Sequence, residues 1–243
     1  MTSTTGKKGR LGNQIIRNLA VSLVAEKHNL QVNYFNYDLI TSLGIELFIG
    51  RNTYSDIKEL NDDNYFSVYN CDSIDYNLNP NENYFQTHKI TTFLHSHLHS
   101  KHVQSAIITK NPFKERYNAN RDVFIHIRLD DVSQHNPGIH YYLNTLKRIM
   151  FDNLYISTDE ADHTIVKTIM VDYPSAILVT HDEIKTFQFA STCRNIILSH
   201  GSFSAVIGYL SFFSNIYYPE YEADKLWYGD MFTIDNWIKC SVK

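Results

Sequence analysis

From residue 123 onward the chain alternates short apolar runs with stretches of helical period. VFIHIRLDD, residues 123–131, has period two, which sets Val123, Ile125, Ile127 and Leu129 on one face of a strand and His126, Arg128 and Asp130 on the other. A helix near 140–151 follows, then strand 153–157, helix 161–172, strand 176–180, helix 183–193, strand 195–199, helix 203–213 and a last strand at 215–218. Such alternation predicts a Rossmann-like half, a parallel sheet with helices on its faces. Ligands of such sheets bind outside the carboxyl ends of the strands, and here those ends read RLDD, STDE, VTHDE and LSHGSFS, all polar.

The first half is less regular. Gly9 to Gln14 open a helix in which Ile15, Leu19, Leu23 and Ile16, Ala20, Val24 recur every fourth position, and VNYF at 32–35 reads as the next strand. Residues 1–8 give a poor first strand, and residues 52–82, rich in Asn, Asp and Tyr, read as loops. Turn-forming residues around Pro112, over 111–121, predict a linker, so the expected domains are 1–118 and 119–243, with the first one reduced.

Composition narrows the function. The 243 residues are 43% hydrophobic and 20% charged, an ordinary globular balance that can bury one large core or two small ones. A net charge of -4 with no basic run argues against a general nucleic-acid binder, so any anion binding falls to individual arginines. Cys71, Cys193 and Cys240 are odd in number and far apart, which fits reduced thiols in a cytosolic setting. There is no apolar run long enough to span a membrane and no apolar core in MTSTTGKKGRLG, so the expectation is a cytoplasmic protein without a membrane span.

Three segments carry candidate chemistry. The polar face of the 123–131 strand costs about 1–3 kcal/mol per neutral polar group if buried without partners, which predicts a cleft there, centred on Arg128, whose guanidinium fork suits a phosphate or carboxylate. GRLGNQ at 9–14 precedes a helix: its glycines let backbone approach a ligand, the first helical turn attracts an anion, and Asn13 adds a side-chain donor, although a plain helix start explains the same residues. LSHGSFSAVIGYL at 198–210 repeats that arrangement, with Ser202 or Ser204 expected to cap the helix. HSHLHSKH at 95–102 places His95 and His99 four apart, but without a carboxylate or an HExxH pattern no metal site is expected; Cys193, in an apolar helix, reads as core.

Taken together and in this order, GRLGNQ, HIRLDD and SHGSFSAVIG resemble the GGLGNQ-type loop, HxRRGD-type strand and SFSWWG-type turn of the GDP-fucose-dependent fucosyltransferases, most like the alpha-1,2 family. The loop is also similar to the GRFGNQ of protein O-fucosyltransferases, and NYFQTHK (83–89), LYISTDE (154–160) and FASTCRNIILS (189–199) extend the likeness over most of the chain. The resemblance implies an α/β, GT-B-like glycosyltransferase of two Rossmann-like domains with parallel sheets. It implies inverting, metal-independent transfer of fucose from GDP-fucose to a glycan hydroxyl, with no cofactor beyond the nucleotide sugar.

By that resemblance Arg128 holds the beta-phosphate, Asn13 steadies the diphosphate with Gly12 beside it, Ser202, Phe203 and Ser204 form the far side, His126 sits by the nucleoside and Asp159 joins the donor site. Asp130 or Asp131 serves as general base or orients Arg128. There are departures. Leu129 stands for the second Arg, Asp131 follows Asp130 where the family has Gly-Asp, Ala205 and Val206 replace paired tryptophans, and Thr186 occupies the place of an Asp suited to guanine, with Asp182 and Glu183 one turn away. Another GDP-linked sugar, or nucleotide or glycan binding without transfer, are the competing expectations.

Overall fold

The structure, a computed structural model, describes residues 1–6, 9–221 and 230–242; of the weak strand expected over 1–8, Lys7 and Lys8 lie outside them. The described residues form two compact units, 1–107 with Asp230 and Met231, and 108–221 with 232–242.

The second unit is the α/β half that the alternation predicts. Its strands are β5 (Val123–Ile127), β6 (Leu154–Thr158), β7 (Ile177–Leu178), β8 (Asn195–Ile197), β9 (Asn215–Pro219) and β10 (Ile238–Cys240), and its helices α6 (Ile139–Leu146), α7 (Thr164–Asp172), α8 (Glu183–Ala190) and α9 (Gly201–Tyr209). All strands are parallel, in spatial order β10-β9-β8-β5-β6-β7. The chain starts in the middle at β5, moves outward through β6 to β7, then returns to β8 on the other side of β5. This is the Rossmann strand order, with its topological switch between β5 and β8.

Period two governs β5. Val123, Ile125, Ile127 and Leu129 join Tyr141, Tyr142 and Leu146 of α6 and Val166 and Ile169 of α7 in one core cluster. On the opposite face Phe124 meets Phe189 of α8, and His126 meets Phe203 of α9. Both faces are therefore covered, and every residue of β5 is buried.

The sequence reading runs past the ends of several elements. The strand stops at Ile127 rather than Leu129, and Asp130 opens a 3-10 turn over Asp130–His135, so alternation no longer places its side chain. Helix α8 stops at Ala190 because the Ser191 and Thr192 hydroxyls donate to the carbonyls of Gln188 and Phe189. Strand β10, three residues on the sheet edge and mostly exposed, has no alternating pattern and escapes the reading.

In the first unit, β1 (Thr2–Ser3) pairs with β2 (Val32–Asn33) around α1 (Leu11–His28), and β3 (Ile57–Glu59) pairs with β4 (Asn77–Asn79), both parallel. Helix α1 is buried on nearly all sides, packs against α3 (Tyr65–Tyr69) and α4 (His88–Leu98), and ends at Asn29 in the left-handed region. The stretch 52–82, read as loops, thus holds two short strands and a helix; they are too short to imprint a period.

The expected linker at 111–121 is not one. Asn111 is buried and donates to the Gln188 carbonyl, and Arg116 pairs with buried Asp122 at 2.8 Å while lying over the Phe189 ring. The segment belongs to the second unit, and the division falls at 107/108, inside α5 (Lys101–Lys110), eleven residues before the expected 118/119. Among the described residues no helix is long and apolar enough to cross a membrane.

Candidate functional site

The carboxyl edge of the six-stranded sheet gathers most of the polar residues singled out in the sequence. Arg128 follows β5 directly, beside the switch point, and its backbone is tied on both sides. Its N–H donates to Ser199 Oγ (3.3 Å) beyond β8, and its carbonyl accepts from Asn136 Nδ2 (2.9 Å). Asn136 also donates to Tyr142 Oη, and Tyr142 donates to Ser199 Oγ (3.0 Å), so a closed ring of hydrogen bonds fixes the Arg128 backbone.

The Arg128 side chain is 16% exposed and held by two carboxylates. Asp131 Oδ1 lies 2.5 Å from one terminal nitrogen, and Asp159 Oδ2 lies 3.2 Å from Nε. Asp159 is itself anchored, since its Oδ1 accepts from Leu129 N at 2.7 Å. Arg128, Asp131 and Asp159 therefore form one cluster, with Asp130 adjacent in sequence.

His126 does not open into a cleft, contrary to expectation. Burial is tolerable because the ring is partnered: Nδ1 lies 2.6 Å from Ser204 Oγ, and Phe203 packs on its face and stacks in turn on Phe187 at 4.2 Å. Burial, with Arg128 and His200 adding to it, pushes the His126 pKa down to about 3, so the ring is neutral.

Ser202 and Ser204, expected as caps, have other places. The α9 N-cap is His200, without a side-chain bond, and Ser202 is the second helical residue. Ser204 is fully buried; its Oγ accepts from Ser199 N (3.0 Å), which leaves its own proton for neutral His126. Gly201 adopts φ +85°, and a Cβ added there would meet no described atom within 4 Å. Conformation, not crowding, requires glycine at 201, where α9 begins.

Asp182 caps α8, its Oδ1 accepting from Lys185 N (2.7 Å), and Glu183 is exposed in the first turn of that helix. Thr186, at the place where the resembled family carries an Asp, is buried and donates to the His181 carbonyl. A cavity of about 230 Å³ opens between the Gln134–Pro137 segment and Glu220, Tyr221 and Val242, with Asn136 joining it to the Arg128 carbonyl.

The glycine loop of the first unit is built just as tightly. Gly9 has φ +68°, and its missing Cβ would lie 2.0 Å from Asn13 Nδ2, so only glycine fits. Gln14 donates to the Gly9 carbonyl and accepts from Asn36, while Asn13 Oδ1 accepts from Gln86 (2.7 Å). Gly12 is buried in the first turn of α1.

Two other sequence signals resolve differently. His95 and His99 stack ring on ring at 3.9 Å on α4 and its cap, and burial, reinforced by His99, lowers the His95 pKa to about 3. Among the described residues no three His, Cys, Asp or Glu side chains gather as a metal-binding group. Cys193 is core, its thiol pushed up to about 12 by burial. The residues that sequence reasoning missed are Ser199, Tyr142 and Asn136, which hold Arg128 from α6 and two connecting segments; only Ser199, placed at a strand end, carried any sequence signal.

A pH dependence follows from the buried imidazoles. His126 and His95 titrate near 3 in the fold against about 6.5 unfolded, so the unfolded chain binds more protons between those values and stability falls with acidification through that window. Denaturant titrations of wild type and His126→Gln between pH 7 and pH 4.5 are expected to show a shallower decline for the variant. Parallel declines would place the proton uptake elsewhere.

No model of a known protein family matches the chain, and no curated protein matches it significantly.

Proposed function

We propose that this chain is a glycosyltransferase of GT-B type, with two Rossmann-like domains, that takes a sugar from a nucleoside diphosphate, GDP-fucose first, to a carbohydrate hydroxyl with inversion. The observation that carries this reading is Arg128 at the carboxyl end of the central strand, at the switch point of a Rossmann-ordered sheet, its N–H bonded to Ser199 just before the glycine turn that starts α9 within the same unit. A diphosphate set there meets a guanidinium and the positive end of a nine-residue helix, two groups that oppose the charge developing on a leaving phosphate.

In the proposed reaction the acceptor oxygen bonds to the anomeric carbon as the bond to the beta-phosphate oxygen breaks. Arg128 stabilises the departing diphosphate and a carboxylate takes the acceptor proton. Asp130 or Asp131 is the candidate for that proton or for orienting Arg128, and Asp131 is the one in contact with the guanidinium. The 230 Å³ cavity is below the roughly 300–1,000 Å³ of pockets for whole ligands, a size suited to one sugar ring beside the diphosphate. Asp182 is engaged as a helix cap and Thr186 faces inward, which weakens any carboxylate reading of guanine and favours a pocket that tolerates several purines.

A specific observation supports a second reading, a nucleotide- or glycan-binding protein without transfer: the Arg128 charge is already offset by Asp131 and Asp159. Incubation of the full chain with GDP-fucose and a panel of glycan acceptors, with and without EDTA, separates the two. Release of GDP coupled to fucosylated product, unchanged by EDTA, is the expected result. Binding of GDP with no product on any acceptor would favour the second reading, and activity lost on chelation and restored by manganese would assign Asp130 and Asp131 to a cation.

A further inference from the structure

The Arg128 guanidinium already meets two carboxylates, Asp131 and Asp159, so an incoming anion competes with them for the same cation. The two carboxylates are not equivalent. Asp159 is 22% exposed and fixed by a hydrogen bond from the Leu129 N–H, with Arg128 Nε in ion-pair range at 3.2 Å. Asp131 is 55% exposed, sits on the short 3-10 turn after β5, and meets a terminal guanidinium nitrogen.

We propose that Asp131 is a displaceable stand-in for the ligand phosphate and a specificity-determining residue, one that makes the site select diphosphates over single phosphates. The inference rests on the reading that Arg128 receives a phosphate. Exchange of the Asp131 carboxylate for one monophosphate swaps one anion for another on the same nitrogen and gains little. A diphosphate gains more: one phosphate replaces Asp131 while the other reaches further donors, such as the first turn of α9. Asp159, fixed through the backbone, stays and keeps the guanidinium plane in place. Asp131 thus raises the threshold for occupancy, and single phosphates fall below it.

Calorimetric titration of inorganic pyrophosphate and orthophosphate into the full chain, as wild type, Asp131→Asn and Asp131→Ala, tests this. Asparagine keeps the shape and removes the charge, and alanine removes both. In both variants orthophosphate affinity is expected to rise about tenfold, the effect of roughly one screened charge pair, and pyrophosphate affinity less, so the preference narrows. If wild type binds pyrophosphate, Arg128→Ala loses it, and the Asp131 variants bind orthophosphate no better than wild type, Asp131 only orients Arg128: the inference falls and the phosphate reading stands. If wild type and both Asp131 variants bind neither anion, the phosphate reading falls and takes the inference with it.

Discussion

Arg128→Ala is expected to lose nucleoside diphosphate binding by about 10- to 100-fold and to abolish transfer. A charge-assisted contact to a phosphate contributes about 1.5–3 kcal/mol in a partly dry site, and each 1.4 kcal/mol is a factor of ten. The loss extends beyond the missing contact, because Asp131 and Asp159 remain and no longer have the guanidinium that both meet. Arg128→Lys should recover little, since a point charge on a flexible stem cannot span both carboxylates as the planar fork does. Calorimetric titration of GDP, with melting curves to confirm the fold, measures the effect; wild-type affinity in the alanine variant would remove Arg128 from the site.

Ser204→Ala is expected to be the most destabilising single-atom change near the site. The hydroxyl is buried and partners both the Ser199 N–H and His126 Nδ1, so its removal leaves two buried polar groups short of a bond at about 1–3 kcal/mol each. A loss of roughly 2–4 kcal/mol corresponds to a melting temperature lower by about 5–15 °C for a chain of this size. Ser199 also receives the Arg128 N–H, so the same change loosens the Arg128 backbone and weakens diphosphate binding. Ser202→Ala, two positions earlier, should change stability by less than about 0.5 kcal/mol. Equal destabilisation by the two would show that the His126–Ser204–Ser199 bonds contribute nothing particular.

How much of this was legible in the sequence depends on where each interaction runs along the chain. Period two in VFIHI and the regular spacing of apolar segments were enough to give the parallel sheet and its central strand, because both faces of β5 are buried and each residue's side is fixed by the pleat. The first unit was hard to read because its strands are two or three residues long, too short for any period. The linker was misplaced for a different reason. Turn residues over 111–121 do turn the chain, yet Asn111 and Arg116 bond to residues some 75 positions later, and composition carries no trace of such partners.

At the site, residue types were legible and roles were not. An Arg after an alternating strand announced a charged centre, but its neutralisation by Asp159 depends on the β5–β6 register, which exists only once the sheet has formed. His126 looked like a cleft residue for want of a partner within reach along the strand. Its partner, Ser204, is 78 positions away.

Thermal unfolding of the full chain with saturating GDP, UDP, dTDP and ADP is the most direct test that a nucleoside diphosphate binds at the carboxyl edge of the sheet. A ligand at one hundred times its dissociation constant stabilises the fold by about 2.7 kcal/mol, which for a chain of this length raises the melting temperature by about 5–10 °C. The expected result is such a rise with GDP, a smaller one with UDP and dTDP, and its loss in Arg128→Ala. An unmoved melting temperature with all four nucleotides would contradict it.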